Sequence, residues 1–383
     1  MLFTFTRTFH ASRTVLHLRR HASTSLLSPN HSIYVSSSTN PYFNLTFEDW
    51  LFRHKSPEKP MLLLYRDDPC VVVGRNQNPW KEVNLRAAHE AGIPFIRRFS
   101  GGGTVYHDLG NTNFSIHLPR ATFDRHATAQ VVLRAVRSLG VDATVNDRND
   151  ICVGKDKIRL ILSVTRAVLR SADGRLDIYV SGSAYKIVKD RAYHHGTMLI
   201  STRLDTLGEL LRSGKDTMET RGIASVRSPV CNLQQHGAQV SHEEFVNAVV
   251  NAFREEYGVV EKVHAVDDTG GAQNIEYIRK GMAELKTWDW AFGQTPEFTY
   301  KIENTFPWGT VKAEFLSKHG VILSCVLYPP EGAEESVKSG LALMSMVLEG
   351  QRYGAADDRP RSLARDSEDL WAVWDWLRKA MDS

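Results

Sequence analysis

Apolar residues along the chain recur at two spacings, one typical of helices and one typical of strands. Between Phe43 and Arg53 they return every three to four positions, which predicts an amphipathic helix. Runs of four or five apolar residues bounded by turn residues predict buried strands. The same patterns predict further helices at 85–91 and 127–139, and strands at 61–65, 70–74, 95–99 and 113–118.

The last third of the chain repeats this mixture after a polar segment. Residues 264–273 are rich in Asp, Gly and Thr and predict a linker. Strands are predicted beyond it at 299–303, 309–316 and 321–327, and helices at 333–348 and 367–381. Strands and helices without regular alternation indicate an α+β (mixed α/β) fold with a small second α+β domain. The predicted organisation is an N-terminal segment 1–33, a first domain 34–263, a linker 264–285 and a small C-terminal domain 286–383.

The first 47 residues contain no Asp or Glu. Four arginines lie in the same stretch together with many Ser and Thr residues: Arg7, Arg13, Arg19 and Arg20. This composition is typical of a mitochondrial transit peptide, and it predicts a mitochondrial protein. A disordered tail with no targeting role is the alternative.

Composition excludes several classes of protein. A net charge of +3 lacks the basic excess of nucleic-acid readers, so no nucleic-acid partner is expected. No apolar run approaches the roughly 20 residues that span a bilayer, so no membrane partner is expected either. The four cysteines show no CxxC spacing, which indicates a reducing compartment without a disulfide framework.

The most specific chemical signal is a glycine run between a predicted strand and a His-Asp pair. Arg97 and Arg98 precede it, and Gly101, Gly102 and Gly103 form it. Glycines let backbone N–H groups approach an anion closely, and guanidinium groups bind phosphate or carboxylate oxygens. A glycine run alone most often forms a plain turn; the adjacent arginines favour an anion site.

Weaker signals lie in three other segments. Gly74-Arg75 follows a strand, although Asn78-Pro79 also suits a plain polar turn. Asp150 could hold Mg²⁺ beside phosphates and Lys157 could stabilise developing charge, whereas residues of these types are most often solvated. The pair His194-His195 lacks the further ligands of a zinc site, so structural or substrate-shaping roles are favoured.

Taken together, these segments resemble the lipoate–protein ligase A family in its long form, part of the biotin/lipoate ligase superfamily. The resemblance runs from about residue 40 to the C-terminus, and it is to fungal-type mitochondrial members of the family, in agreement with the N-terminal composition. It implies a biotin/lipoate-ligase-like catalytic domain at 34–263 and a small α+β accessory domain at 286–383. The matching motifs occur in the family's order: NPYFNL, GRNQNPWKE, RRFSGGGTVYHDLGNTNFS, RNDI, SGSAYK, HHGTMLI, GIASVRSPVCNL and TWDWAFGQTPEF.

The resemblance implies a set of site residues. Lys157 would be catalytic and would contact both the lipoyl carbonyl and the phosphate, and Asp150 would bind Mg²⁺. The residues implied for ATP and adenylate are Arg98, Gly103, Thr104, Val105, Tyr106 and Lys157. Those implied for lipoate are Arg75, Ser100, Gly101, Gly102, Lys157, Ser181 and Gly182.

The implied reaction joins the carboxylate of lipoate to AMP, at the expense of ATP and with Mg²⁺. The mixed anhydride then acylates a lysine of a lipoyl domain, in 2-oxoacid dehydrogenase E2 subunits and the glycine cleavage H protein. Positioning and charge stabilisation would supply much of the rate. Octanoate is an alternative small-molecule substrate. Two other functions stay open: an ATP-independent lipoyl or octanoyl transferase acting from an acyl carrier or from lipoyl-AMP, and an inactive lipoyl-domain-binding protein.

Related octanoyl transferases use a cysteine nucleophile, and Cys152 lies close to Asp150 in sequence. Its apolar neighbours Ile151 and Val153 predict a buried strand position, which favours an inert thiol.

The chain departs from the family pattern at one place. In the family, the residues equivalent to Lys157-Ile158 are followed at once by SGSAY, whereas here residues 159–180 intervene. These 22 residues resemble no family member. A retained intron is one explanation, because a 66-nucleotide stretch with suitable splice signals can encode them; a surface insertion is the other.

Overall fold

The computed structural model describes residues 31–153, 178–236, 240–269, 271–357, 359–364 and 367–382. The strands are β1 Ile33–Ser36, β2 Met61–Tyr65, β3 Cys70–Val73, β4 Phe95–Arg97, β5 Val105–His107, β6 Asn111–Pro119, β7 Ala143–Val145, β8 Ile151–Val153, β9 Ile178–Tyr179, β10 Ser181–Ile187, β11 Arg191–Leu199, β12 Met218–Thr220, β13 His264–Val266, β14 Phe298–Phe306, β15 Gly309–Lys318 and β16 Val321–Tyr328. The α-helices are α1 Pro41–His54, α2 Pro79–Glu82, α3 Leu85–Glu90, α4 Arg125–Ser138, α5 Leu204–Leu210, α6 His242–Tyr257, α7 Glu276–Glu284, α8 Trp288–Ala291, α9 Glu335–Leu348, α10 Arg359–Leu363 and α11 Glu368–Asp382.

A six-stranded mixed sheet, in the order β10-β11-β6-β2-β1-β13, is the centre of the first part of the chain. Both of its faces are covered, which is why β2 is a continuous apolar run rather than an alternating one. Leu62 and Leu64 pack with α4 and α6, and Leu63 and Tyr65 pack with α1 and α7. The prediction of an α+β fold is confirmed.

The glycine run connects two strands of a separate small sheet. This sheet has the order β4-β3-β5, with β3 parallel to β4 and antiparallel to β5. The run therefore leaves one edge of the sheet and returns along the other. A second small sheet has the order β7-β8-β9, and Asp150 lies immediately before β8.

A four-stranded antiparallel sheet, β12-β14-β15-β16, forms the second part with α9 and α11 packed on it. Its first strand comes from residues 218–220, well before the predicted boundary of the second domain. The predicted strands and helices of this part are present, each within a few residues of its predicted bounds.

The predicted linker at 264–285 is wrong as an account of local structure. His264–Val266 is a parallel strand beside β1, and Glu276–Glu284 is a helix that packs against α1. The Asp- and Gly-rich composition belongs to the turn after the strand. Three residues are too few for a strand to show an alternating pattern.

Three predictions fall wholly or partly outside the described residues. The N-terminal segment is described only from His31, and Lys157 is not described. Of the unusual segment 159–180, only Ile178, Tyr179 and Val180 are described. Val180 is fully buried in the main core, and Tyr179 pairs with Cys152 of β8.

Among the described residues, no helix has the length and apolar character needed to cross a bilayer.

Candidate active site

The glycine run approaches two other segments so closely that side chains are excluded. Gly102 has a φ of +89°, a conformation that glycine adopts without strain. A Cβ atom on Gly102 would lie 2.8 Å from Cβ of Ala184 in β10. A Cβ atom on Gly74 would lie 2.0 Å from the carbonyl oxygen of Gly102. The two glycine turns predicted from the sequence are therefore packed together beside β10.

Arg98 stabilises the glycine run from the inside. Its Nε donates to Ser100 Oγ at 2.9 Å, and one terminal nitrogen donates to the carbonyl oxygens of Gly101 and Gly103 at 2.6 and 2.8 Å. The other terminal nitrogen donates to Val72. Burial lowers the pKa of Arg98 to about 10, so the guanidinium remains charged at neutral pH. Arg98 thus shapes the loop by binding its carbonyl groups.

Arg97, the neighbouring arginine, is fully buried on the opposite side of the strand. It donates to the carbonyl oxygens of Gly74, Arg75 and Gln77, and to Ala291 and Thr295 in the second part of the chain. The partners are neutral groups. Arg97 therefore links the turn after β3 to the segment around α8.

Arg75 reaches the same segment with its side chain. Its guanidinium stacks on the Trp290 ring, 4.2 Å from the ring centroid, and donates to Gln294 Oε1. Its backbone N–H donates to the carbonyl oxygen of Ser100 at 2.7 Å, which joins the two glycine turns. The predicted site residues Arg75 and Ser100 are thus neighbours.

Two polar residues to which the sequence assigned no role complete the loop. The Oε1 atom of Gln77 accepts hydrogen bonds from Gly74 N and Thr104 Oγ1, both at 2.9 Å. Its Nε2 donates to Ser225 Oγ, which in turn accepts from Thr104 N. Both residues lie in motifs recognised in the sequence, GRNQNPWKE and GIASVRSPVCNL, but neither spacing nor residue type indicated their contact.

The strand β10 contributes the next wall of the site. A Cβ atom on Gly182 would lie 3.9 Å from Val105, and Gly182 N donates to Thr197 Oγ1. Ser181 Oγ accepts from the backbone N–H of Ile151, so its hydroxyl is bonded to the backbone of β8.

Tyr106 differs from its neighbours in the motif, because its side chain is buried in an apolar cluster with Val71 and Val73.

Asp150 lies beside β10, almost fully buried. Its carboxylate accepts from Ser183 Oγ at 2.8 Å and lies 3.3 Å from a nitrogen of Arg148. Burial raises the pKa of Asp150, although the Ser183 hydroxyl and Arg148 oppose the shift. Magnesium is commonly held by one or two carboxylates together with substrate phosphates and water, so this single carboxylate fits such an ion.

Two histidines and one cysteine in the region have defined surroundings. His194 hydrogen-bonds to Thr128 of α4 at 2.8 Å. His195 faces the other way, between Ser100 Oγ at 2.9 Å and the carboxylate of Glu48 at 2.9 Å. Cys152 is buried in β8, as its apolar neighbours predicted. The sequence had favoured structural or substrate-shaping roles for the histidines, but Glu48 was missed.

A catalytic-domain family model matches residues 40–254, and its description is lipoyl protein ligase A/B catalytic domain. The chain belongs to this family. It is also 36% identical over 301 residues to a lipoate-protein ligase A from Psychrobacter cryohalolentis, a match that covers 77% of this chain and 82% of that protein. The family recognised from the motifs is therefore confirmed.

Solved structures show the same fold. LipL1 of P. falciparum in complex with lipoate superposes with a TM-score of 0.55 at 23% identity, over 91% of this chain and 99% of that one. A bipartite lipoate protein ligase from Thermoplasma acidophilum, solved in a study of that ligase and its E2 lipoyl domain, gives 0.54 at 23% identity over 68% and 96%. A lipoate-protein ligase A bound with ATP gives 0.51 at 24% identity over 68% and 98%. The family's catalytic fold is thus the fold of this chain.

Proposed function

We propose that this enzyme is an ATP-dependent lipoate–protein ligase. It activates lipoate as lipoyl-AMP and transfers the lipoyl group to a lysine of a lipoyl domain. The glycine run carries this proposal, because Arg98 binds the carbonyl oxygens of Gly101 and Gly103, and the N–H of Gly102, opposite the Gly101 carbonyl, is therefore turned away from Arg98 and can donate to an anion. The relative named lipoate-protein ligase A and the structural neighbours solved with lipoate and with ATP support it.

The residues of the site divide between the two substrates. Gly103, Thr104 and the backbone of Val105 and Tyr106 bind the ATP phosphates, and Ser100, Gly101, Gly102 and Gly182 lie along the acyl side with Arg75 and Ser181 next to them. A bound Mg²⁺ would neutralise phosphate charge, and Asp150 would hold it. Lys157 remains proposed by resemblance as the contact to carbonyl and phosphate. Each group acts by positioning and by stabilising charge as the carboxylate attacks the α-phosphate.

We propose that the acceptors are the lipoyl domains of 2-oxoacid dehydrogenase E2 subunits and the glycine cleavage H protein. The Thermoplasma ligase was studied with its E2 lipoyl domain, which supports this class of partner.

The proposal of mitochondrial targeting by residues 1–33 rests on the acid-free, Arg- and Ser-rich composition of this segment. Imaging of a fusion of residues 1–33 to a fluorescent protein tests it; a cytosolic signal would contradict the proposal.

We propose further that residues 159–180 are dispensable. In a chain without them, Lys157 and Ile158 directly precede Ser181 and take the positions of Tyr179 and Val180. An isoleucine then replaces the fully buried Val180, so that position of the core remains apolar. Sequencing of the mature transcript tests the retained-intron explanation: a message that contains this stretch would rule it out.

The test of function is lipoate-dependent ATP–pyrophosphate exchange, measured on the full chain and on the chain lacking 159–180. Lys157→Ala in each background is the matched control. The ligase function is supported if either chain catalyses the exchange and the same chain with Lys157→Ala does not. Lipoylation of a lipoyl domain is then measured by mass spectrometry. Exchange in neither chain, with both folded, would contradict the proposal and favour the acyl transferase.

A further inference from the structure

Four buried side chains form one continuous hydrogen-bonded chain between the glycine run and α1. Arg98 Nε bonds to Ser100 Oγ, Ser100 Oγ to His195 Nε2, and His195 Nδ1 to Glu48 Oε1, each at 2.9 Å. All four residues are less than one-tenth exposed. The connection joins parts of the chain that lie far apart in sequence.

The chemistry of the two end groups fixes the direction of two bonds in this chain. Burial alone would raise the pKa of Glu48, but the charge and hydrogen bond of His195 outweigh it, so its pKa lies below the ordinary value. An ionised carboxylate only accepts, hence His195 carries a proton on Nδ1 and donates it to Glu48. A guanidinium only donates, hence the Ser100 oxygen accepts from Arg98 Nε, and the bond between Ser100 Oγ and His195 Nε2 joins the two ends.

The bond from Arg98 Nε to Ser100 Oγ determines the orientation of the Arg98 guanidinium. Because Nε is fixed by Ser100, the terminal nitrogens are directed at the carbonyl oxygens of Gly101 and Gly103. In a trans peptide, the N–H points opposite to the C=O, so the N–H of Gly102 is turned away from Arg98. The geometry of the glycine run therefore depends on groups that lie outside it.

We propose that Glu48 and His195 are positioning residues, which hold the glycine run in its anion-binding form through Ser100 and Arg98. They need no contact with the nucleotide to do so. The inference rests on the proposed ligase function and assigns a role to residues beyond the glycine motif.

The neighbouring histidine provides an internal control. His194 points to the opposite face of β11, because successive side chains of a strand alternate, and it bonds to Thr128 of α4. His194→Asn therefore removes a buried histidine one residue from His195 and leaves the hydrogen-bonded chain intact.

The first test is a double-mutant cycle on kcat/KM for ATP in lipoate-dependent exchange, using the full chain or, where only that form is active, the chain lacking 159–180. Glu48→Met removes the acceptor, and we expect a loss of about tenfold, the effect of losing one charged hydrogen bond. Added to Ser100→Ala, it should cause no further loss, because the chain is already broken at Ser100. The effects of His194→Asn and Ser100→Ala on kcat/KM for ATP should instead be independent, so that the double variant shows their product. A Glu48→Met effect that also multiplies with Ser100→Ala would overturn the inference.

A second variant separates positioning from folding. Glu48→Gln keeps the size and one acceptor oxygen, so kcat/KM for ATP should stay close to that of the unsubstituted protein. A loss as large as that of Glu48→Met would contradict the inference. Thermal unfolding of each variant identifies any loss that comes from instability.

A third measurement does not depend on activity. Nitrogen-15 NMR of the histidine side chains should show a proton on His195 Nδ1, with the Nε2 signal displaced in Ser100→Ala. A bare Nδ1 would contradict the inference even in an active enzyme. Absence of exchange in the unsubstituted protein would contradict the ligase function instead, and the NMR result would still decide the hydrogen-bonded chain.

Discussion

At the scale of single residues, the two adjacent arginines are stabilised by neutral groups rather than by carboxylates. Arg97 is fully buried and contacts four carbonyl oxygens and one hydroxyl. Burial, and to a lesser degree Arg75, lowers its pKa to about 9, so it is still charged at neutral pH. A planar guanidinium with five donors can satisfy such a divergent set of acceptors.

We expect Arg97→Lys to destabilise the fold although it preserves the charge. A lysine has three donors on one atom and cannot reach all five acceptors, and an unsatisfied buried polar group costs about 1–3 kcal/mol. Urea unfolding should show a loss of at least this size. Arg221→Lys, at an exposed arginine paired with Glu297, is the matched control and should change stability little. Equal stability of both variants would contradict the role given to Arg97.

A buried histidine makes stability depend on pH. Burial, with smaller contributions from His195 and Arg125, lowers the pKa of His194 to about 3. Between the ordinary pKa of about 6.5 and this value, only the unfolded chain binds the proton, so stability falls as the pH falls, by up to about 1.4 kcal/mol per pH unit. His194→Asn should reduce this slope in urea unfolding from pH 7 to pH 5, by an amount that approaches one proton at pH 5. The exposed His126→Asn should not, and an equal reduction in both would refute the assignment.

Residue types and spacing identified the glycine run and its arginines, but they did not separate the roles of Arg97 and Arg98. Which arginine faces the loop depends on strand alternation and on packing against residues 291–295. Glu48 was missed for a similar reason. An acid in a helical pattern is expected to face water, and only the sheet packed against α1 shows that it faces His195.

At the scale of elements, the predicted helix at 43–53 is present, although it is not amphipathic in the ordinary sense. Most of α1 is buried, including Glu48 and Asp49, because the main sheet covers one side and α7 covers another. Asp49 is satisfied by Lys186 at 2.6 Å and by Tyr277. Paired charges let a helix be buried all round, which the sequence pattern alone does not reveal.

The helix α6 offers a direct test of local sequence signals. Ser241 and Glu244 form a reciprocal capping box at its start, and Gly258 ends it in a left-handed conformation. Ser241→Ala should lower the free energy of unfolding by about 1 kcal/mol, measured in urea. Ser241→Asp retains an acceptor and should lose much less. An equal loss in both variants would show that the capping bond does not contribute.

At the scale of the whole molecule, the first and second parts of the chain share a core as well as a chain connection. Strand β12 completes the sheet of the second part, and Trp80 packs its ring against Phe292, Phe298 and Tyr353 of that part, with centroids 4.9–5.7 Å apart. The sequence predicted the elements of both parts but not this shared core. The contacts of Trp80 join residues more than two hundred positions apart, and local periodicity carries no information about them.

The shared core predicts coupled unfolding of the two parts. Trp80→Ala removes an almost fully buried ring, which should lower the free energy of unfolding by about 3–5 kcal/mol. It also removes the largest side chain that the first part of the chain contributes to the core of the second part. Calorimetry should then show the single transition of the unsubstituted protein broaden or split, because the two parts no longer stabilise each other. Trp371→Ala, at a partly exposed tryptophan of α11, is the matched control and should shift the transition slightly without splitting it. A uniform shift for Trp80→Ala, with one sharp transition, would mean that Arg97 and the β12–β14 pairing suffice to couple the two parts.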